Sequence, residues 1–262
     1  MAFGFARGLI AFGISIALIG CAALSPPPDL PPYAVAPGAR VGLLLSISPV
    51  VAHEHVGTTV FNNFSAEQHF PRSLPDLVHA DFTQALQHAN YEVVELDPAI
   101  YKAPSIAGLL VRENEQWTVA QEYAKQFAAL REELHLSAII VAYSAPTLVQ
   151  RECTQYGCTD RIATHSGLFT RSFLFANRWF AVPGFDTVVL NVGPPIVLSE
   201  YEPMASIAGH KVKELQDMKA PKDFNSLTDD EFAPVSTWVA EYVQQMANAC
   251  VMALAGKAGK AR

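Results

Sequence analysis

The strongest constraint on the fold is an alternation of short apolar runs with amphipathic segments between residues 40 and 143. Residues 40–47 form a continuous apolar run bounded by Pro37-Gly38 and Pro49, the pattern of a strand buried on both faces. Ser73-Leu74-Pro75-Asp76 then carries the marks of a helix start. Ser can cap free amides, Pro suits the first turn, and a first-turn carboxylate faces the positive end of the helix dipole. Leu77, Val78, Phe82, Ala85, Leu86 and Ala89 make an apolar stripe, and Asn90 suits the helix end. Residues 91–96 read as a strand. Residues 118–134 read as a second helix with the stripe Val119, Tyr123, Phe127, Leu130 and Leu134, and 138–143 as a further buried strand. A strand–helix–strand–helix–strand order predicts a parallel sheet with right-handed crossovers. The expected class is α/β: a three-layer arrangement of parallel strands and crossover helices, extended by antiparallel hairpins and a C-terminal helix.

The second half changes character. Residues 147–153 and 158–165 read as a hairpin around Gln155-Tyr156-Gly157. Residues 172–180, 186–192 and 196–201 are rich in strand formers, and 205–218 predict a surface helix. A last helix is expected over 235–254, with Trp238, Val239, Tyr242, Val243, Met246, Cys250 and Ala253 on its apolar face. Thr228 and Glu231 ahead of it fit a capping box. Residues 50–72 show no period and read as a long loop.

The amino terminus is built differently. Arg7 precedes an apolar run over residues 8–19. As a helix that run spans about 18 Å, too short for a bilayer core of about 30 Å. A short positive region and a short apolar region are the pattern of a secretory signal peptide, here residues 1–20. After Cys21 come Pro26, Pro27, Pro28, Pro31 and Pro32, which exclude helix and favour polyproline II. At about 3.1 Å per residue, a 21–38 linker would reach some 50 Å. The expected organisation is a signal peptide, that linker, one domain over 39–256, and a basic tail over 257–262.

Composition narrows the function classes. The chain has 262 residues, 18 Lys+Arg against 25 Asp+Glu and a formal charge of -7. An acidic surface repels phosphates, so no nucleic-acid partner is expected. Half of the residues are apolar, enough to bury a core. The sequence holds no Gly-x-Ser-x-Gly, Ser-x-x-Lys, Gly-x-Gly-x-x-Gly or Walker run. It therefore points to no catalytic residues, and whether the chain is an enzyme stays open.

Three groups of residues could carry chemistry or contact. Cys153 and Cys158 flank a short turn, where opposed strand positions come within disulfide range; a disulfide is expected over free thiols. His53 and His55 alternate on an extended segment and could share a metal ion, with His69 nearby in sequence. The aromatic stretch Phe169, Phe173, Phe175, Trp179, Phe180 and Phe185 suits a core. Asn177, Pro183 and Gly184 punctuate it like a loop tip, on which Trp179 and Phe180 could form an interaction surface.

Leu18-Ile19-Gly20-Cys21 resembles a bacterial lipobox, with Leu three residues before Cys and a small residue just before it. That resemblance implies cleavage before Cys21, a diacylglyceryl thioether on its thiol and an acyl group on its new amino terminus. These lipids would be the only cofactor-like groups, and they would anchor the chain stably. Ala22 follows the Cys rather than Asp, which implies the outer membrane, facing the periplasm. The element order is also similar to the small α/β domain of periplasmic assembly lipoproteins, such as the curli secretion-channel lipoprotein and the N-terminal domain of the TolB translocation protein. The matching pieces are residues 40–47, Asn90-Tyr91-Glu92-Val93-Val94, and 136–143. By analogy, this implies a non-enzymatic scaffold or accessory subunit of an envelope assembly or transport system, with an envelope protein or a second copy as partner. The alternatives are an anchored extracytoplasmic enzyme, such as a metal-dependent hydrolase using the histidine segment, and a carrier of a small apolar ligand.

Overall fold

The computed structural model describes residues 34–99, 110–113, 116–174, 176–193, 195–199 and 204–256. The expected signal peptide, Cys21, the linker up to residue 33, Phe175 and the basic tail lie outside these residues. In chain order the first half holds β1 (Arg40–Ser46), β2 (Val51–Val56), β3 (Phe64–Glu67), α1 (Leu74–His88), β4 (Glu92–Leu96), β5 (Leu110–Glu113), β6 (Gln116–Val119), α2 (Gln121–Leu134) and β7 (Leu136–Ser144). The second half holds β8 (Thr147–Thr154), β9 (Gly157–Ala163), β10 (Ser166–Phe173), β11 (Ala176–Val182), β12 (Phe185–Val192), β13 (Pro195–Val197), α3 (Met204–Gly209), β14 (Lys213–Glu214) and α4 (Asp229–Leu254).

The expected α/β core is present. The first sheet runs β13-β12-β7-β1-β4, with β1 parallel to both β4 and β7 and β12 antiparallel to β7. Its strands alternate between two apolar layers. Val41, Leu43, Ala138 and Ile140 pack with Phe82 of α1 and with Val239 and Val243 of α4. Leu44, Ile139 and Val141 pack on the other side with Phe127 and Leu130 of α2. This is the three-layer arrangement, helices covering both faces of a sheet that is apolar on both. Ser73 caps α1 by accepting the Asp76 amide at 3.3 Å. Thr228 and Glu231 form the capping box of α4. Asn90, just beyond α1, takes the left-handed conformation at φ 63.

A second five-stranded sheet, β14-β11-β10-β2-β3, stands in place of the long loop expected over 50–72. Residues 51–56 alternate as a strand does, but both faces of β2 are covered, and its buried positions are His as well as Val and Ala. The apolar/polar alternation that marks a half-exposed strand is therefore missing. The expected helix over 205–218 is also corrected. α3 ends at Gly209, and Lys213–Glu214 pairs with β11 as an edge strand. Thr118 and Val119, expected to open the second helix, instead end β6, which pairs with β5.

Short links join the sheets. β1 leads to β2 through residues 47–50, and β11 leads to β12 through Pro183 and Gly184. Gly184 has φ 65, and a Cβ there would strike the Ser166 backbone, so the crossing admits no side chain. These links lie at the carboxyl ends of β1 and β7, the end at which α/β sheets often bind ligands. Val35 is buried, and its amide donates to the carbonyl of Leu254 at 2.7 Å. The structured chain thus begins ahead of residue 39 and enters beside the end of α4. Among the described residues, no helix is long and apolar enough to cross a membrane.

Candidate interaction surface

The second sheet ends, away from its junction with the first, in two adjacent connections. After β2, residues 57–63 loop outward through a 3-10 turn, Val60–Asn62. Beside this loop, β10 reaches its turn at Leu174. Val60, Phe61, Phe173 and Leu174 are all exposed there, Phe61 at 93% and Leu174 at 68%. An apolar side chain gains nothing from such exposure in the isolated molecule. Grouped exposed apolar residues are a mark of an interaction site.

The tip is held in shape by polar contacts. The Leu174 amide donates to Thr58 Oγ1 at 3.1 Å, and the Gly57 amide donates to Asn63 Oδ1 at 2.9 Å. Arg171 Nη1 donates to the Gly57 carbonyl at 2.8 Å, and its guanidinium lies 5.7 Å from the centre of the Phe173 ring. Leu174 itself sits at φ 54, in the left-handed region, at a cost of about 1 kcal/mol or more for a residue with a Cβ. The fold thus holds an apolar residue in an unfavourable conformation and leaves it in water.

Behind the tip lies a charge network. Arg171 Nε donates to Glu152 Oε1 at 2.5 Å, and Arg161 Nη2 donates to Glu152 Oε2 at 2.6 Å. The hydrogen bond from Arg171, helped by that from Arg161 and opposed by burial, holds the Glu152 carboxyl down to about 2. Arg178 makes a two-bond pair with Glu214 on β14, both bonds at 2.8 Å. The expected hairpin is formed by β8 and β9, with Cys153 directly opposite Cys158 and the two joined as a disulfide. Tyr156 stands exposed at its turn.

The residues expected to bind metal do something else. His53 is fully buried, with Nδ1 2.7 Å from the Phe224 carbonyl and Nε2 2.7 Å from Thr170 Oγ1. A carbonyl only accepts, so Nδ1 carries the proton and Nε2 accepts from the Thr170 hydroxyl. Both ring nitrogens are spent. Burial pushes His53 down to about 4, and burial followed by the Arg171 charge also lowers His55. His55 stacks on Phe64 with ring centres 5.0 Å apart, and its Nδ1 is buried without a partner. His69 is exposed, and among the described residues no group of three or more His, Cys, Asp or Glu could hold a metal ion.

Trp179 and Phe180 are corrected as well. They lie within β11 rather than on a loop tip, 5% and 3% exposed. Successive strand residues face opposite ways, and both faces are covered. Trp179 packs 5.5 Å from Phe224, while Phe180 packs in a separate cluster with Phe169, Val182 and Val149. The turn falls earlier, beyond Phe173. The readable signal was an apolar pair among turn formers, Val60-Phe61 between Thr59 and Asn62.

One further constellation was not expected. Between His53 and His55, Glu54 faces the opposite side of β2. Its carboxylate accepts from the amides of Thr164 and His165, the Thr164 hydroxyl and His165 Nδ1, at 2.6 to 3.1 Å. This fastens the start of β10 to the middle of β2. Compared with known proteins, the chain matches no family model and no curated protein.

Proposed function

We propose that this chain is a lipoprotein of the bacterial outer membrane, facing the periplasm, that serves as a non-enzymatic accessory subunit of an envelope assembly or transport system. It is anchored through Cys21 and docks an envelope protein partner through Val60, Phe61, Phe173 and Leu174. The apolar tip carries the reading. It is held by hydrogen bonds, it costs stability to present, and it lies at the end of the second sheet remote from the junction. The chain enters at the opposite edge of the first sheet, where Val35 meets Leu254. A domain tethered at one end and adhesive at the other suits bridging from a membrane to a partner. The lipobox-like Leu18-Ile19-Gly20-Cys21 and the proline-rich segment after it support the tether. A metal-dependent hydrolase draws no support from His53, whose ring nitrogens are both engaged. An apolar carrier draws none from the aromatic residues of β10 and β11 that pack as core.

The test has two parts. A metabolic acyl label is expected on the wild type and not on Cys21→Ser. A photocrosslinker at position 61 is expected to capture one envelope protein in cells, and one at the exposed Glu132 of α2 is not. Label that survives Cys21→Ser defeats the anchor. Equal capture from positions 61 and 132 defeats the docking role.

A further inference from the structure

We propose that the free edge of β3 is a pairing surface for a second copy of this chain. β3 is the last strand of the second sheet, bound to β2 on one side and, among the described residues, to no strand on the other. The register settles which of its groups face outward. The Gln68 amide donates to the Val51 carbonyl at 2.8 Å. In an antiparallel ladder the residue pairs that exchange bonds alternate with those that do not. Ala66 with His53 and Phe64 with His55 are therefore the next bonded pairs. The backbone amides and carbonyls of Ser65 and Glu67 point away from β2, and both residues are exposed. This is a short row of unpaired backbone groups, the template on which another strand can add. The opposite edge of the same sheet is protected, because β14 is two residues long and both are charged, Lys213 and Glu214.

The edge is complementary to itself, which selects a second copy as the occupant. Two identical chains related by a twofold axis bring the same strand together antiparallel. With Ala66 on the axis, Ser65 of each copy stands opposite Glu67 of the other. These are the residues whose backbone groups face outward, so every one of those groups is paired at once. The side chains agree with this register. Ala66 at the centre is small, and each Glu67 meets a serine. Sliding one copy by two residues sets Glu67 against Glu67, and like charges directly opposite repel. Sliding it the other way carries Glu67 past the end of β3, opposite Asn63. The two five-stranded sheets become one continuous sheet. The inference uses neither Cys21 nor the apolar tip, so it stands apart from the proposed function.

The experiment is analytical ultracentrifugation of the full chain in a mild detergent, which keeps its apolar amino terminus dispersed. The wild type is expected to dimerise weakly, with a Kd of about 0.1 mM or below, as suits a small contact. Ser65→Glu puts two carboxylates opposite each other twice per dimer, and the Kd is expected to rise about tenfold. Ser65→Lys puts an ammonium opposite Glu67 twice, and the Kd is expected to fall about threefold or more. Ser65→Glu with Glu67→Lys exchanges the two charges and is expected to restore dimers at least as tight as the wild type. Ser65→Pro removes an outward amide and no bond to β2, so it is expected to abolish dimers while the urea midpoint stays near that of the wild type. All these positions are exposed, so the charge variants leave the fold as it is. A wild type still monomeric at about 1 mM would overturn the proposal. So would the same response to Ser65→Glu and Ser65→Lys, or a dimer that none of the four variants changes.

Discussion

Arg171 on β10 and Glu152 on β8 form a two-bond ion pair, Nε to Oε1 at 2.5 Å and Nη2 to Oε2 at 3.2 Å. The same guanidinium reaches the carbonyls of Gly57 and Ser172. One buried side chain thus ties together the hairpin, the second sheet and the loop that carries Phe61. Arg171→Met should cost about 3 kcal/mol in urea unfolding, since it leaves Glu152 with half of its partners and the Gly57 carbonyl with none from this residue. It should also weaken capture from position 61. A loss below about 1 kcal/mol would mean that the pair does not organise the tip.

The exposed tip separates binding from folding. Phe61→Asp removes nothing from the core, so its stability should stay within about 0.5 kcal/mol of wild type. Partner capture should fall by at least tenfold, as expected for an aromatic anchor. A large stability loss with unchanged capture would reverse the roles.

The buried His53 sets an acid limit. Its ordinary value of 6.5 is lowered to about 4 in the fold. Above pH 6.5 it is neutral folded or unfolded, and stability does not depend on it. Between pH 6.5 and 4 only the unfolded chain takes up the proton. Stability should therefore fall by about 1.4 kcal/mol per pH unit from this group, or roughly 3 kcal/mol in all, and then level off. His53→Gln keeps a donor and an acceptor without titrating. Its urea midpoints between pH 7 and 4 should lose that part of the slope; an unchanged slope would assign the acid sensitivity elsewhere.

The Cys153–Cys158 disulfide closes a short loop in a two-stranded sheet of its own. By loop entropy, the double change to Ser should cost about 2 kcal/mol. Hydrogen exchange should rise in β8 and β9 and stay low in β1 and β7, which are paired independently in the first sheet. Equal loosening of both sheets would show that the hairpin is coupled to the whole core.

Where local chemistry suffices, the sequence by itself determined the structure. Ser73 and Pro75 start α1, Thr228 and Glu231 start α4, and the apolar runs of β1 and β7 make a buried parallel sheet, because caps and periodicity act within a few residues. Cys153 and Cys158 met for the same reason, across the turn at Gln155-Tyr156. Only the tertiary structure decided the second sheet. β2 pairs in parallel with β10, more than a hundred positions away, and its His-Glu-His stretch carries no apolar alternation because both of its faces are buried. That pairing placed Trp179 and Phe180 inside, spent both nitrogens of His53 on Phe224 and Thr170, and brought the loop that carries Phe61 against Leu174 through Thr58. Exposure is a property of what packs on a residue, and for these positions the packing comes from elements far away along the chain.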